Sequence, residues 1–218
     1  MTPSKLKNEA VPLWRKIGLK VRHGLTLQSI RSVLCKAGID VSPYYLFEEG
    51  FGPGGTPEIQ IKGSVADYTF EFLKPVDMKI LAATGYAGFT ESKLLGMLSA
   101  GEMCIGMRHN GEIAAFMWIN FTQFQHKSTV IQINSNEAYL WAMYTLYPYR
   151  GNNLAPYLRY KSYELLKEMG RDKLYSISDY FNAPAVKFKK KLNARKLKLI
   201  LDIQIFNKLH RSYTLKTY

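Results

Sequence analysis

Hydrophobic and polar positions follow two different periods along this chain, and the changes between them mark predicted elements. From Tyr68 to Leu73, aromatic and apolar residues alternate with polar ones, which is the period of a half-buried strand. Thr90 precedes an amphipathic stretch with Leu94 and Leu98, which predicts a helix capped by Thr90. The same criteria predict strands at 103–107, 113–119, 129–133, 138–146 and 173–178, helices at 75–82, 153–169 and 183–192, and a closing hairpin of 197–206 with 213–218.

Asn110-Gly111 joins two of these predicted strands, and this dipeptide is the strongest short hairpin signal in a sequence. After the first strand, the predicted order is helix, helix, hairpin, strand, helix, strand, helix and hairpin. Helices and strands in this order must bury their apolar faces against each other. The pattern therefore predicts a layered α/β domain around a mixed sheet.

The first 57 residues have a pattern of their own. Leu13, Ile17 and Val21 recur at helical spacing, as do apolar residues from Leu27 to Leu34, with Arg, Lys and Gln on the other faces. Residues 50–57 are rich in Gly and Pro and form the clearest connector. We predict a basic amphipathic extension over 1–57 and one domain over 58–218.

Composition and charge narrow the classes of partner. The chain has 218 residues and a formal net charge of +13, with basic residues dense at 5–36 and 187–198. Such an excess favours nucleic acid, a phospholipid surface, a phosphorylated cofactor or an acidic carrier protein. Most aromatic residues stand at core spacing within predicted strands, so nucleic acid is not the expected partner.

The location of the protein is predicted from its two cysteines and from its apolar runs. Cys35 and Cys104 form no C-x-x-C pair, and Cys104 lies in an apolar run typical of a buried thiol. No apolar stretch reaches the length of a signal peptide or a membrane span. We expect a cytoplasmic protein, with peripheral membrane contact left open.

The segment from Met143 to Ala155 carries the most specific chemistry. It joins a strand end, a polar turn and the start of a long amphipathic helix. The first turn of a helix has free N–H groups, so it binds anions. Gly151 lets the backbone approach a phosphate closely, and Arg150 adds a charge that matches it.

This segment resembles the acyl-CoA-binding motif of the GNAT superfamily, Arg/Gln-x-x-Gly-x-Gly/Ala. Arg150 to Ala155 fill the motif, with Asn153 where Gly is usual. Residues 182–193 resemble the family's Asn-x-x-Ala-x-x-Phe-Tyr-x-Lys-Leu-Gly element, with Lys189 in the place of Tyr. The resemblance covers Tyr68 to Tyr218 and implies the GNAT fold, a mixed, mostly antiparallel sheet of six or seven strands flanked by helices.

The resemblance also implies acetyl-CoA or another acyl-CoA as co-substrate, with no metal. The pantetheine arm would lie along the strand through Met143 and Thr145, and the loop after it would hold the pyrophosphate. Asn182 would contact the pantetheine or the adenine, and Lys189 would neutralise phosphates with Lys187 and Lys190. The implied cofactor-binding residues are Met143, Tyr144, Thr145, Arg150, Gly151, Asn152, Asn153, Leu154, Ala155, Asn182 and Lys189.

The catalytic groups are less clearly indicated. Attack of an amine on a thioester needs a base, an oxyanion donor and a proton for the leaving thiolate. Glu137 and His126 are the candidate bases, and Tyr180 is the candidate acid because Lys189 replaces the family's Tyr. A backbone N–H at Thr145 or Leu146 would polarise the carbonyl. Bound water in place of a protein base stays open.

The expected function is transfer of an acyl group, acetyl first, from acyl-CoA to a primary amine by direct attack in a ternary complex. Two alternatives stay open: a longer acyl chain from acyl carrier protein, or a non-catalytic sensor or basic RNA- or membrane-binding module. The acceptor is a small-molecule or protein amine that the sequence does not identify. Acyl carrier protein, an anionic membrane surface and a second copy in a homodimer are further candidate partners. The patch Tyr44 to Phe47 would cover the acceptor cleft, dock on the sheet or meet an acyl chain.

Overall fold

The computed structural model describes residues 31, 33–50, 55–127, 129–206 and 208–218. The elements with complete bounds are β1 Ile39–Glu49, β2 Tyr68–Phe72, α1 Met78–Ala83, α2 Glu91–Ser99, β3 Met103–His109, β4 Glu112–Asn120, β5 Gln123–His126, β6 Thr129–Gln132, β7 Glu137–Thr145, α3 Leu154–Glu168, β8 Lys173–Asp179, α4 Ala183–Lys191, β9 Arg195–Ile205 and β10 Leu209–Thr217. Each strand and helix predicted from 68 onward is present within a few residues of its predicted bounds.

Eight strands form one mixed sheet in the order β10-β9-β1-β8-β7-β4-β3-β2, and β5 pairs with β6 in a separate hairpin. Strands β7 and β8 pair in parallel, and the other neighbours in the sheet are antiparallel. The predicted fold class is confirmed, although the sheet has eight strands instead of six or seven. The predicted strand at 129–133 exists but lies in the hairpin outside this sheet.

Strand β1 corrects the predicted division at residue 57. Its residues lie between β8 and β9, with Tyr44 opposite Asp179 on one side and Ile200 on the other. The patch Tyr44 to Phe47 is therefore a buried part of the central sheet and not a flap over a cleft. Residues 39–49 belong to the domain. Of the helices predicted over 13–34, the structure describes residues 31, 33 and 34, which are helical, and the rest lie outside the described residues. The predicted contact with acyl carrier protein or a membrane stays a prediction.

Helices pack on both faces of the sheet. Leu158 and Leu166 of α3 pack on one face in the largest core cluster, and α4 lies on the same face because Leu192 and Phe188 join that cluster. Helices α1 and α2 pack on the opposite face against Phe116. The β5–β6 hairpin contributes a third cluster, in which Phe124 stacks on Tyr139 at 3.7 Å between ring centroids. The sheet thus separates two layers of helices, each with its own hydrophobic core.

Local signals explain several boundaries. Thr90 Oγ1 accepts a hydrogen bond from the N–H of Lys93, which is the predicted cap of α2. Asn110 and Gly111 both have positive φ, as the two-residue turn between β3 and β4 requires. Within the described residues, no helix has the length and apolar character of a membrane span.

Candidate active site

Strands β7 and β8 pair only at their beginnings. The register runs from Glu137 opposite Lys173 to Tyr139 opposite Tyr175, and no pairing follows. Ala142 has a φ of 49°, and the register with β4 shifts there, which is the signature of a β-bulge. The bulge bends the strand, and the two parallel strands separate beyond Tyr139.

A cavity of about 540 Å³ occupies this gap, within the size range of small-molecule sites. It is lined from both faces of the sheet. Ala155, Arg159 and Phe188 line it on the α3–α4 face, and Tyr86 and His126 line it on the opposite face. The cavity therefore passes through the sheet from the α3–α4 face to the opposite face.

The first turn of α3 offers unpaired backbone donors at one end of this cavity. Within the described part of the chain, the N–H groups of residues 151–155 have no hydrogen-bond acceptor. Gly151 has a φ of 88°, and no atom lies within 4 Å of the position that a Cβ would take. Asn153 has a φ of 64° and precedes the first helical residue, Leu154. At Gly151, an anion can therefore approach the backbone without a steric obstacle.

Asn153 occupies the motif position where Gly is usual, and its backbone and side-chain contacts explain how Asn fits there. Asn adopts the left-handed conformation more readily than other residues with a side chain. Its Nδ2 donates to the carbonyl of Gln60 at 2.6 Å, and the N–H of Lys62 donates to the carbonyl of Asn152 at 3.0 Å. The side chain thus points to residues 60–62 and leaves the amides of the loop exposed.

Arg150 is exposed and lies close to the end of β7. Its Nε donates to the carbonyl of Thr145 at 3.1 Å, and its guanidinium lies over the rings of Tyr144 and Tyr147 at 5.4 and 5.6 Å. Cation–π contacts of this kind hold a guanidinium without using its N–H donors. The remaining donors of Arg150 are available to an anion at the loop.

The end of β7 presents backbone groups to the gap. Leu146 donates its N–H to the carbonyl of Ala114 on β4, at 2.9 Å. Because backbone groups of successive residues alternate between the two edges of a strand, Thr145 and Met143 direct theirs toward the gap. Leu146 is therefore excluded as an oxyanion donor, and Thr145 stays a candidate. Both Met143 and Thr145 line the cavity, whereas Tyr144 packs its ring against Tyr86.

Asn182 begins α4 at the edge of the cavity. Its Oδ1 accepts from the N–H of Ala185 at 3.3 Å, so the side chain caps the helix. Asn182 also lines the cavity, and its amide nitrogen is not part of the cap. A structural cap and a ligand contact are compatible at this residue.

Lys189 lies on the buried side of α4 and lines the cavity, and its contact with a cofactor phosphate stays a prediction. Its side chain is 2% exposed, and Nζ donates to Ser176 Oγ and to the carbonyl of Ile177 at 3.1 Å. Nζ also lies 3.4 Å from Oε1 of Glu49. Burial lowers the pKa of Lys189 to about 7. The helix turns this residue toward the sheet, which spacing alone did not reveal.

A buried ionic cluster surrounds Lys189, and sequence reasoning missed two of its members. Glu49 at the end of β1 and Arg159 on α3 are both buried, with Nε of Arg159 3.5 Å from Oε2 of Glu49. Burial opposes ionisation of Glu49, but Arg159, Lys189 and two hydroxyl donors lower its pKa overall. A signal for Arg159 was present, because Ala155, four residues before it, and Leu166, seven residues after it, share its face of the helix. Glu49 carried none, since its strand was not predicted.

His126 is the predicted base that the structure brings to the cavity. It ends β5, lines the cavity and packs edge-on against Tyr44 at 4.3 Å between ring centroids. Its Nε2 is buried and has no hydrogen-bond partner among the described residues. Burial lowers the pKa of His126 below its ordinary value of 6.5, although the negative charge of Asp179 opposes this shift. The imidazole is therefore neutral near pH 7 and can accept a proton.

Glu137 and Tyr180, the other two predicted catalytic residues, are not among the side chains that line the cavity. Glu137 lies where β7 and β8 are still paired, and its carboxylate accepts hydrogen bonds from Asn134 and from the hydroxyl of Tyr175. Burial alone would raise the pKa of Glu137, but the hydrogen bonds have the larger combined effect and lower it overall. Glu137 is therefore ionised, and its contacts with Asn134 stabilise the turn before β7. Tyr180 is 44% exposed and packs on Tyr45 at 5.3 Å between ring centroids.

Comparison with known proteins gives one family and a set of similar folds. The sequence model of the acetyltransferase (GNAT) family matches residues 75–193. Among solved structures, a GNAT-family protein from Novosphingobium aromaticivorans has a TM-score of 0.54 at 19% identity, and the alignment covers 77% of this chain and 66% of that one. An acetyltransferase from the GNAT family of Colwellia psychrerythraea has a TM-score of 0.58 at 12% identity, with 83% and 63% covered.

A GCN5-related N-acetyltransferase from Kribbella flavida has a TM-score of 0.52 at 13% identity, with 80% and 62% covered. The chain therefore spans less than two thirds of the length of each of these three structures. At such identities the similarity shows the fold alone. A search of curated proteins finds no match. Among the described residues, no group of three His, Cys, Asp or Glu side chains could hold a metal ion.

Proposed function

The chain belongs to the acetyltransferase (GNAT) family, and from this premise we propose that it transfers a short acyl group from an acyl-CoA thioester to a primary amine. One observation carries the proposal: unpaired amides at the start of α3 lie beside a gap between two parallel strands. The amides fit the diphosphate of coenzyme A, and the gap fits an extended arm that leads from it.

The donor would bind on the α3–α4 face of the sheet. Gly151 and its neighbours supply N–H groups to the diphosphate, and Arg150 supplies a guanidinium. Thr145 and Met143 offer backbone groups to the pantetheine amides, as an added strand would use them. Asn182 offers its amide nitrogen from the start of α4. These contacts would place the thioester inside the gap.

The amine would bind on the opposite face, where His126 and Asp179 line the cavity. The carboxylate of Asp179 attracts an ammonium ion, and neutral His126 accepts the proton that the amine must lose. The amine nitrogen then forms a bond to the thioester carbon, and the carbon–sulfur bond breaks. An ammonium ion loses two protons in all: one leaves to solvent before the attack, and the one that His126 accepts as the nitrogen bonds to carbon can pass to the thiolate, so the reaction needs no other co-reactant.

Isothermal titration of the full chain with acetyl-CoA tests the donor site. We expect binding, and we expect Arg150→Glu to weaken it at least tenfold, on the order of 1.4 kcal/mol, because a carboxylate would then face the phosphates. Lys208→Glu makes the same change of charge in the turn between β9 and β10, at the edge of the sheet and away from β7. An absence of binding, or equal losses in the two variants, argues against the proposal.

A second assay tests transfer itself. Release of free CoA from acetyl-CoA is measured with a panel of primary amines, which includes amino acids, amino sugars and peptides. Amine-dependent release that His126→Gln reduces by roughly 10²-fold or more supports the proposal. Tight binding without release for any amine would favour the non-catalytic alternative.

A further inference from the structure

The cavity has a buried cation with unused hydrogen-bonding capacity. Arg159 lies one turn after Ala155 on the same face of α3, and both line the cavity. The side chain of Arg159 is 3% exposed. Within the described part of the chain its guanidinium makes no hydrogen bond, and Nε and Nη1 are buried without an acceptor. Unpaired donors in such a position are unfavourable, so an acceptor that enters the cavity gains from them.

Glu49 does not satisfy Arg159, because other donors already use its carboxylate. Oε1 accepts from the hydroxyl of Ser176 and lies 3.4 Å from Nζ of Lys189. Oε2 accepts from the hydroxyl of Tyr163 and lies 3.5 Å from Nε of Arg159, too far for a good hydrogen bond. Lys189, by contrast, has acceptors for its donors in Ser176, Glu49 and the carbonyl of Ile177.

The cluster also carries more positive than negative charge. Arg159 and a protonated Lys189 face the single carboxylate of Glu49, all three buried. Burial is the main cause of the lowered pKa of Lys189, and the positive charge of Arg159 also lowers it. A second carboxylate beside Arg159 would balance the charges.

We infer that Arg159 binds a carboxylate on the acyl group of the thioester, so that the preferred donor is the CoA ester of a short dicarboxylic acid. The inference rests on the proposed function and names its donor more closely. Arg159 lies on the α3–α4 face with the donor's diphosphate site, whereas His126 and Asp179 lie on the acceptor's face. The planar guanidinium suits a carboxylate, which it can hold through two parallel hydrogen bonds.

Titration calorimetry of the full chain without acceptor tests this. The probes are succinyl-CoA, butyryl-CoA of the same carbon number, and acetyl-CoA. We expect succinyl-CoA to bind at least about tenfold more tightly than butyryl-CoA, as a charge-assisted hydrogen bond in a buried site implies. In Arg159→Met, the two esters should bind with about equal affinity. Lys161→Met, a more exposed residue of the same helix that pairs with Glu164, should preserve it.

Each other outcome is decisive. Equal affinities of the wild type for succinyl-CoA and butyryl-CoA overturn the inference even when Arg159→Met does not fold, and so does a preference that survives this substitution. With acetyl-CoA saturating, glycine and methylamine are then compared as acceptors. Suppose that glycine is the better acceptor, that Arg159→Met removes this preference, and that succinyl-CoA and butyryl-CoA bind equally. Arg159 then binds a carboxylate of the acceptor, and the donor assignment is overturned. If no CoA ester binds at all, the proposed function fails, and this inference falls with it.

Discussion

Nζ of Lys189 lies 3.4 Å from Oε1 of Glu49, with both side chains removed from water. This contact joins α4, from the family's motif region, to β1, which sequence patterns had assigned to an N-terminal extension. With Arg159 it forms a charged cluster beneath the donor side of the cavity. Buried ion pairs of this kind add little net stability as a whole, but the loss of one partner leaves an uncompensated charge.

Glu49→Gln should therefore destabilise the fold by about 3–5 kcal/mol, because two buried cations lose their counter-ion. Urea denaturation measures the difference in the free energy of unfolding. The adjacent Glu48 is a matched control, since its pair with Arg195 is exposed. Glu48→Gln should change stability by no more than about 1 kcal/mol. An equal decrease in the free energy of unfolding in the two variants would contradict this prediction, because the buried carboxylate would then matter no more than the exposed one.

Lys189 should make stability depend on pH. Its pKa is lowered to about 7 in the folded chain, whereas an unfolded lysine titrates near its ordinary value of about 10.4. Between these values the unfolded state binds one more proton, so the free energy of unfolding rises with pH. The stability of the wild type minus that of Lys189→Met should thus increase from pH 7 to pH 9. A difference that stays constant across this range would contradict the burial of a titrating lysine.

His126 should set the acidic limb of the activity profile. Burial lowers its pKa below 6.5, so the neutral form that accepts a proton predominates above that value. The rate constant kcat/KM should fall as pH drops through this lowered pKa, and His126→Gln should remove the limb and reduce kcat by roughly 10²–10⁴-fold. His109→Gln on β3 is the control and should keep the wild-type profile. A wild-type limb in His126→Gln would mean that another group is the base.

Removal of residues 1–57 should prevent folding, although the connector at 50–57 looks like a domain boundary. The deletion takes β1 out of the middle of the sheet and leaves β8 and β9 without their shared partner. Removal of residues 1–30 leaves β1 in place, so that variant should keep a cooperative thermal transition. Circular dichroism melts compare the two truncations. A folded chain that starts at residue 58 would refute the central role of β1.

Local chemistry was enough to predict most of the fold from residue 68 onward. The Asn110-Gly111 turn, the cap at Thr90 and the apolar periodicity of α3 each depend on neighbours in sequence. Residues 150–155 before α3 could also be predicted from local sequence, because the first turn of a helix exposes its amides wherever the helix begins. Arg150, Gly151 and Asn153 therefore lie where the motif placed them, and their contacts with the cofactor stay predictions.

The tertiary structure alone decided which distant residues share a site. Sequence periodicity assigns a face to each side chain of one element but does not say which element covers that face. β1 enters the sheet between β8 and β9, so Glu49 meets Lys189 and Arg159, and Lys189 becomes a core residue. Glu137 lies outside the cavity because β7 and β8 are still paired there, and the β5–β6 hairpin carries His126 to the cavity. Long-range strand pairing sets these contacts, and their energy comes from burial that no local stretch contains.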